Sequence, residues 1–192
     1  MKIRLSKLNI GFGLLLFYFL IHTIDASSQS LDQLDQDYGF APYIFGSAPS
    51  AIKKIKLIDC SIRTGYHDNI SCYYPGFKPI KNPWKLDSMY GHFTFFDEQL
   101  MLMDISVSNQ NGEEGFEAIA KRLIKLIGEP NATLLQTYGN IELVKAYGWV
   151  SSRVKVELRL ELFETDTMDE LLDTNLVIYS IPIFAQFEKS IR

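Results

Sequence analysis

The sequence predicts an α+β domain: an antiparallel sheet of about five to seven strands, with one main amphipathic helix, 112–127, on one face. Three observations lead there. From Arg153 to Phe163, apolar Val154, Val156, Leu158, Leu160 and Leu162 alternate with Arg153, Lys155, Glu157, Arg159 and Glu161. Successive side chains of a strand point to opposite faces, so this is a long strand with one apolar and one charged face. Next, Phe116, Ile119, Ala120, Leu123, Ile124 and Ile127 recur at helical spacing and form a single stripe that needs a sheet to lie on. Finally, the other apolar runs are separated by turns of hairpin length, which favours antiparallel pairing. Burying each apolar side chain of 154–162 is worth roughly 1.5–3 kcal/mol. That face therefore requires a cover, and helix 112–127 is the natural one. The charged face is expected in solvent.

At 192 residues the chain has room for one domain plus a processed segment. Lys2, Arg4 and Lys7 precede an apolar run, Ile10 to Ile21, and the polar Asp25-Ala26-Ser27-Ser28-Gln29 follows. The run is shorter than the ~20 residues of a spanning helix. Residues 1–28 therefore read as a signal peptide cleaved after Ser28, with Ala26 as the second site and an uncleaved anchor as the alternative. Export to the periplasm or medium follows, with no integral membrane segment after processing. No cysteine follows the run to carry a lipid. Removing three basic and one acidic residue from 19 and 23 leaves 16 and 22, a net charge of −6. Such a balance argues against nucleic acid as a partner.

Only two cysteines are present, Cys60 and Cys72, flanking a turn-like centre at Thr64–Asn69. In an oxidising compartment they are expected to close a disulfide, worth about 3 kcal/mol by the chain-entropy argument. A redox pair, the other reading, normally uses Cys-x-x-Cys spacing.

Taken in order, residues 29–39 form a polar leader and residues 40–187 the single α+β domain. Tyr43–Phe45 predicts a short strand. Ser47 as N-cap and Pro49 in the first turn predict a short helix after it. Leu57–Arg63 and Ile70–Tyr74 are the arms of the bridged hairpin, and 75–88 is a proline-rich connection. Tyr90–Phe96, a turn at Asp97-Glu98-Gln99 and Leu100–Ser108 predict a second hairpin, with Met101, Met103, Ile105 and Val107 on one side and Leu102, Asp104, Ser106 and Ser108 on the other. Asn111 and Glu114 form a capping-box pattern for the main helix, and Gly128 with Pro130 ends it. Ile141–Trp149 precedes a turn at Ser151-Ser152 and the long strand. Thr165–Asp173 is polar enough for a helical turn, Leu176–Ile181 is a further strand, and Phe184 and Phe187 pack the tail back. A weak internal duplication sets Tyr90-Gly91-His92-Phe93 against Tyr147-Gly148-Trp149-Val150, 57 residues apart.

Chemistry-bearing patterns are sparse. His67 lies in a turn and His92 in an aromatic strand, and no Cys/His/Asp spacing resembles a metal site, so no cofactor or metal is expected. Glycine-rich phosphate loops, nucleophile elbows and His-Glu-x-x-His are absent from the sequence. Asp104 is the carboxylate to inspect, and with His92 it defines a hydrolase reading. The proline-rich aromatic stretch offers Tyr73, Tyr74, Phe77 and Trp84 as a recognition surface, since loops on a rigid scaffold often carry binding.

Phe45-Gly46-Ser47 followed by Ile52, and Ile127-Gly128-Glu129-Pro130 before Trp149, supply a resemblance. The pattern resembles small exported bacterial domains, the beta-lactamase inhibitor protein repeats and the outer-membrane assembly lipoproteins of the SmpA type. The chain departs from them in lacking a lipid-anchor cysteine and in placing Gly-Glu-Pro after the long helix. That resemblance implies a non-catalytic module that binds a protein or cell-envelope component. A carrier of small apolar ligands with an aromatic interior is the alternative, and the hydrolase the third reading.

Overall fold

In the computed structural model, β-strand Val154–Glu164 has a partner along each side and sits one strand in from an edge of a seven-stranded antiparallel sheet. The structure describes residues 30–40, 43–58, 69–74, 84, 88–107, 112–132, 141–164 and 170–191. In chain order these form α1 (Leu31–Asp37), β1 (Gly39–Phe40), β2 (Tyr43–Ile44), a 3-10 turn (Pro49–Ala51), β3 (Lys56–Ile58), β4 (Ile70–Tyr74), β5 (Ser88–Phe96), β6 (Gln99–Val107), α2 (Gly112–Ile127), β7 (Ile141–Val150), β8 (Val154–Glu164), β9 (Glu170–Ser180) and α3 (Ile181–Ser190). The main sheet runs β3-β4-β5-β6-β9-β8-β7. Two meanders, β3 to β6 and β7 to β9, thus meet at a seam between β6 and β9.

Alternation sets the two faces. On β8 the side chains of Val154, Val156, Leu158 and Leu160 are fully buried, and they share their face with Leu176 and Ile178 of β9 through the pairs Val156–Ile178 and Leu158–Leu176. Across the seam the same face carries Met103 and Ile105, paired with Ile178 and Leu176, and then Phe93, paired with Met103. Helix α2 lies on this side, as its stripe requires. Phe116, Ala120 and Leu123 are buried, and the Phe116 ring stacks on Tyr147 of β7 at 5.8 Å. Gly128, at φ +95°, ends the helix in the left-handed conformation that favours glycine. The Trp149 indole N–H then donates to the Gly128 carbonyl at 2.7 Å, giving the helix end a partner from β7. Trp149→Phe removes that donor and also leaves a cavity where the second ring of a fully buried indole stood, so a loss larger than the roughly 0.5–1.5 kcal/mol of a hydrogen bond is expected in urea unfolding.

Hairpin β5–β6 turns at Asp97 and Glu98, both left-handed (φ 52° and 60°), as in a two-residue hairpin loop whose twist matches the strands. Met101, Met103, Ile105 and Val107 are buried, in agreement with the predicted alternation. At the outer edge, β7 carries an extra residue at Val144, between the pairs Leu143–Glu161 and Lys145–Leu160. Its far end is closed by Asn131, whose side chain accepts from the Val150 N–H at 2.8 Å and donates to the Val150 carbonyl at 3.2 Å. A bulge and a side-chain stand-in for a strand both blunt an edge against mispairing.

Several expectations are corrected. The polar leader expected at 29–39 is, from Ser30 on, a folded part of the domain. Ser30 caps α1 by accepting from the Gln33 N–H at 3.1 Å, and Leu34 is fully buried. The short helix predicted from Ser47 is a single 3-10 turn beginning at Pro49, and Ser47 instead uses its carbonyl to accept from Leu100 N–H at 2.9 Å. Residues 170–173, expected to favour a helical turn, belong to β9, held by an unbroken ladder to β8 from Glu164–Glu170 to Val154–Ser180. The tail forms a ten-residue helix, α3, capped by Ser180. The duplication is not kept in the pairing. Phe93 pairs with Met103, but Val150, 57 residues later, pairs with Lys155 and not Leu160. The Asn111 cap lies outside the described residues.

Asp35 ties α1 to the β7–β8 turn. Its carboxylate accepts from the Ser151 and Ser152 hydroxyls, the latter at 2.7 Å, and from the Arg153 and Val154 N–H groups at 2.7 and 3.2 Å. Desolvation acts to raise this carboxyl, but those hydrogen bonds outweigh it and hold Asp35 below the ordinary carboxylate value. The contribution is therefore present above an unfolded value of about 3.9 and lost as pH falls through the lower folded value. Stability measured by urea between neutral pH and strong acid should fall less steeply in Asp35→Asn than in the parent.

Candidate functional site

The second face of the sheet holds the polar groups. On β8 it carries Lys155, Glu157, Arg159 and Glu161, opposite Tyr179, Val177, Asn175 and Asp173 of β9. Across the seam lie Leu102, Asp104 and Ser106 of β6, and beyond them Thr94 and His92 of β5. The expectation that the β8 charges face solvent is overturned, because Lys155, Glu157 and Glu161 are buried and Glu157 is 0% exposed. Alternation placed these residues on one face, but it carries no information about what covers that face. Helix α3 covers part of it: Phe184 packs on Tyr179 at 5.1 Å and Phe187 on Phe96 at 5.8 Å.

Buried charge needs paired partners, and β8 supplies them from its own next-but-one neighbours. The Lys155 ammonium lies 2.8 Å from Glu157 Oε1, and Arg159 Nε donates to Glu157 Oε2 at 2.8 Å with a second bond from the same guanidinium. Arg159 also reaches Glu161 at 3.6 Å, and the Asn175 amide donates to the other Glu161 oxygen at 2.8 Å. Burial works against the Arg159 charge, but Glu157, Glu161 and Asp104 outweigh it and hold the guanidinium above its usual value. Burial and the Glu157 carboxylate push the Tyr179 phenol up, and the Lys155 ammonium sits 5.7 Å from that ring. The residues of β7 opposite Arg159 and Glu157 are Ala146 and Gly148, small enough to leave room for the long side chains. Together these groups form a brace of alternating charge along β8.

Beside it, the register sets His92 directly opposite Asp104, so the two residues of the hydrolase reading share a face. Ser106, two residues along β6, donates to Asp173 at 3.2 Å. No group of three or more His, Cys, Asp or Glu residues fit to hold a metal occurs among the described residues.

The recognition residues fare differently. Trp84 is buried to 1% exposure and belongs to the core cluster, so it is not an indole displayed to a partner. Tyr73 is half-buried and meets the Phe95 ring edge-on at 5.2 Å. Tyr74, also half-buried, lies 5.9 Å from the Lys56 ammonium. Consecutive on one strand, the two tyrosines point to opposite faces and do not form one surface. Phe77, His67 and Cys60 lie outside the described residues. Cys72 is buried on β4, and its sulfur lies 3.9 Å from the Thr94 hydroxyl.

No family model, curated protein or solved structure matches this chain. What the geometry adds, and sequence reasoning missed, is the place of β3, an arm of the expected hairpin with Ile70–Tyr74, at the rim of the sheet. It forms one edge of the sheet, and on it Leu57 is 67% exposed, the most exposed large apolar side chain among the described residues. Its place at the start of a hairpin arm had pointed to a strand, but whether that strand was an edge depends on the sheet order. No helix of the described residues is long and apolar enough to cross a membrane.

Proposed function

We propose that the chain is an exported, non-catalytic module that binds a protein or cell-envelope component. The observation that carries this is the β3 edge, where Leu57 stands exposed at the rim of the sheet. Edge strands bind extended segments through backbone hydrogen bonds, with side chains such as Leu57 adding selectivity. The largest cluster of charge favours the same reading. Glu157, Arg159 and Glu161 engage one another and Asn175, which suits a structural brace more than acid–base work. The aromatic side chains that would line a carrier, Trp84, Phe93, Phe95 and Trp149, are packed as core.

Export rests on the Lys2, Arg4, Lys7 and Ile10–Ile21 pattern of the sequence. A Cys60–Cys72 disulfide goes with it: no described cysteine is free, and Cys60 is the one other cysteine in the sequence. N-terminal sequencing of the secreted protein should begin near Gln29, and retention of Met1 would overturn export. For binding, the mature domain and its Leu57→Asp variant are used as bait against the envelope and medium of the producing cell. Capture by the parent and at least tenfold less by the variant is expected; equal capture refutes the edge as the binding site.

The opposed His92 and Asp104 favour a second reading, ester hydrolysis with His92 as base oriented by Asp104. Ester turnover by the parent that is lost in His92→Ala would establish it in place of the binding module.

A further inference from the structure

Residues 30–40 and 43–47 form a strap outside the seven-stranded sheet. None of its parts stands alone. Helix α1 has seven residues, whereas isolated helices shorter than about 12–15 are marginal in water. The β1–β2 ladder has two residues per strand, and even longer isolated hairpins are marginal. Its order therefore comes from docking on the body of the domain.

The strap is pinned at three places. At one end Asp35 takes hydrogen bonds from the β7–β8 turn, among them one from Arg153 N–H at 2.7 Å. Midway, the Tyr38 hydroxyl bonds to the Ser180 hydroxyl at the end of β9, and the Arg153 guanidinium lies 3.9 Å over the Tyr38 ring. At the far end Gly46 N–H donates to the Leu100 carbonyl at 3.0 Å and Leu100 N–H to the Ser47 carbonyl at 2.9 Å. Leu34, just before the first pin, and Phe45, between the pins, enter the core, Tyr38 meets Phe45 at 5.6 Å, and Tyr43 packs on Phe93 at 4.9 Å. One end thus grips the second meander and the other the first.

We propose that the strap opens and recloses as one cooperative unit over a sheet that stays folded, with Asp35 at one end governing whether Gly46 and Ser47 remain docked at the other. The main sheet does not need the strap for its ladders; β8 and β9 alone share eleven paired residues. The strap, in contrast, has no element able to persist once its pins release, so partial opening has little to stabilise it. Such small cooperative units open at lower free energy than the whole domain. Opening would uncover Phe93 and its apolar neighbours while leaving both meanders paired.

Gly39 offers a way to disturb the strap without replacing a residue of any of the three pins. It sits at φ +129°, and an added Cβ would fall 2.4 Å from the Tyr43 carbonyl oxygen, a backbone atom that cannot step aside. The test is amide hydrogen exchange by NMR on the whole chain, comparing the parent with Asp35→Ala and Gly39→Ala. Protection of the Phe45, Gly46 and Leu100 amides is expected to fall together, on the order of 10–100-fold, in both variants, with β8–β9 ladder amides unchanged. A loss confined to 151–154 in Asp35→Ala would show that the pins are independent. A matching loss in the β8–β9 ladder would show that the strap belongs to the global unit. Either result overturns the proposal.

Discussion

Replacing Arg159 by alanine is expected to destabilise the domain by about 3–5 kcal/mol, among the largest single-residue effects, because it takes from buried Glu157 the guanidinium that donates to it and removes the cation beside Glu161. Glu157 is fully buried and takes two bonds from that guanidinium. The cost is that of an under-compensated charge in a low dielectric, not the net worth of the pair. Equilibrium urea unfolding measures it. A joint Glu157→Leu, Arg159→Met replacement should recover only part of the loss, because Lys155 and Glu161 each lose a partner with it. A loss below about 1 kcal/mol, the range of exposed pairs, would mean that this face is wet after all.

Trp84→Ala should cost a similar amount, about 3–5 kcal/mol, through the cavity left by an indole in the core. The measurement separates two roles. A recognition anchor would leave the unfolding midpoint unchanged and weaken capture of a partner, while a core residue moves the midpoint and leaves the Leu57 edge intact. Thermal or urea unfolding of the variant, set beside its capture relative to Leu57→Asp, decides between them.

The contrast shows where the sequence was legible. Alternation at 154–162 and the helical spacing of 116–127 carry their own geometry, and both elements stand where they were expected, one packed on the other. Gly128 was readable for a similarly local reason, its left-handed φ at the end of the helix. Glu157 was not readable. Its burial depends on Arg159 and Lys155 beside it, on Gly148 one strand away and on a face that α3 helps to cover, and the last two cannot be read from its neighbours in sequence. Helix α1 escaped notice because one buried leucine among acidic and amide side chains gives no periodicity, while the partners of Asp35 lie more than a hundred residues away. Similarly, Asp173 looks polar and turn-like in isolation, yet its ladder to Glu161 and its bond from Ser106 make it strand. Leu57 became informative only once the strand order made β3 an edge.

The seam between β6 and β9 also has a kinetic meaning. Each meander closes through neighbours in the chain, but the seam joins Leu102 to Tyr179 and Val107 to Thr174, so it cannot form until both meanders have been made. Non-local pairing of this kind slows folding, because the entropy of closing the intervening chain is lost before any contact rewards it. Substitutions in the seam, such as Ile105→Val or Leu176→Ala, and substitutions in the β7–β8 hairpin, which is already paired when the seam closes, are therefore both expected to slow refolding. A chain built this way stays incompletely paired until its last strand, Glu170–Ser180, reaches Leu102–Val107.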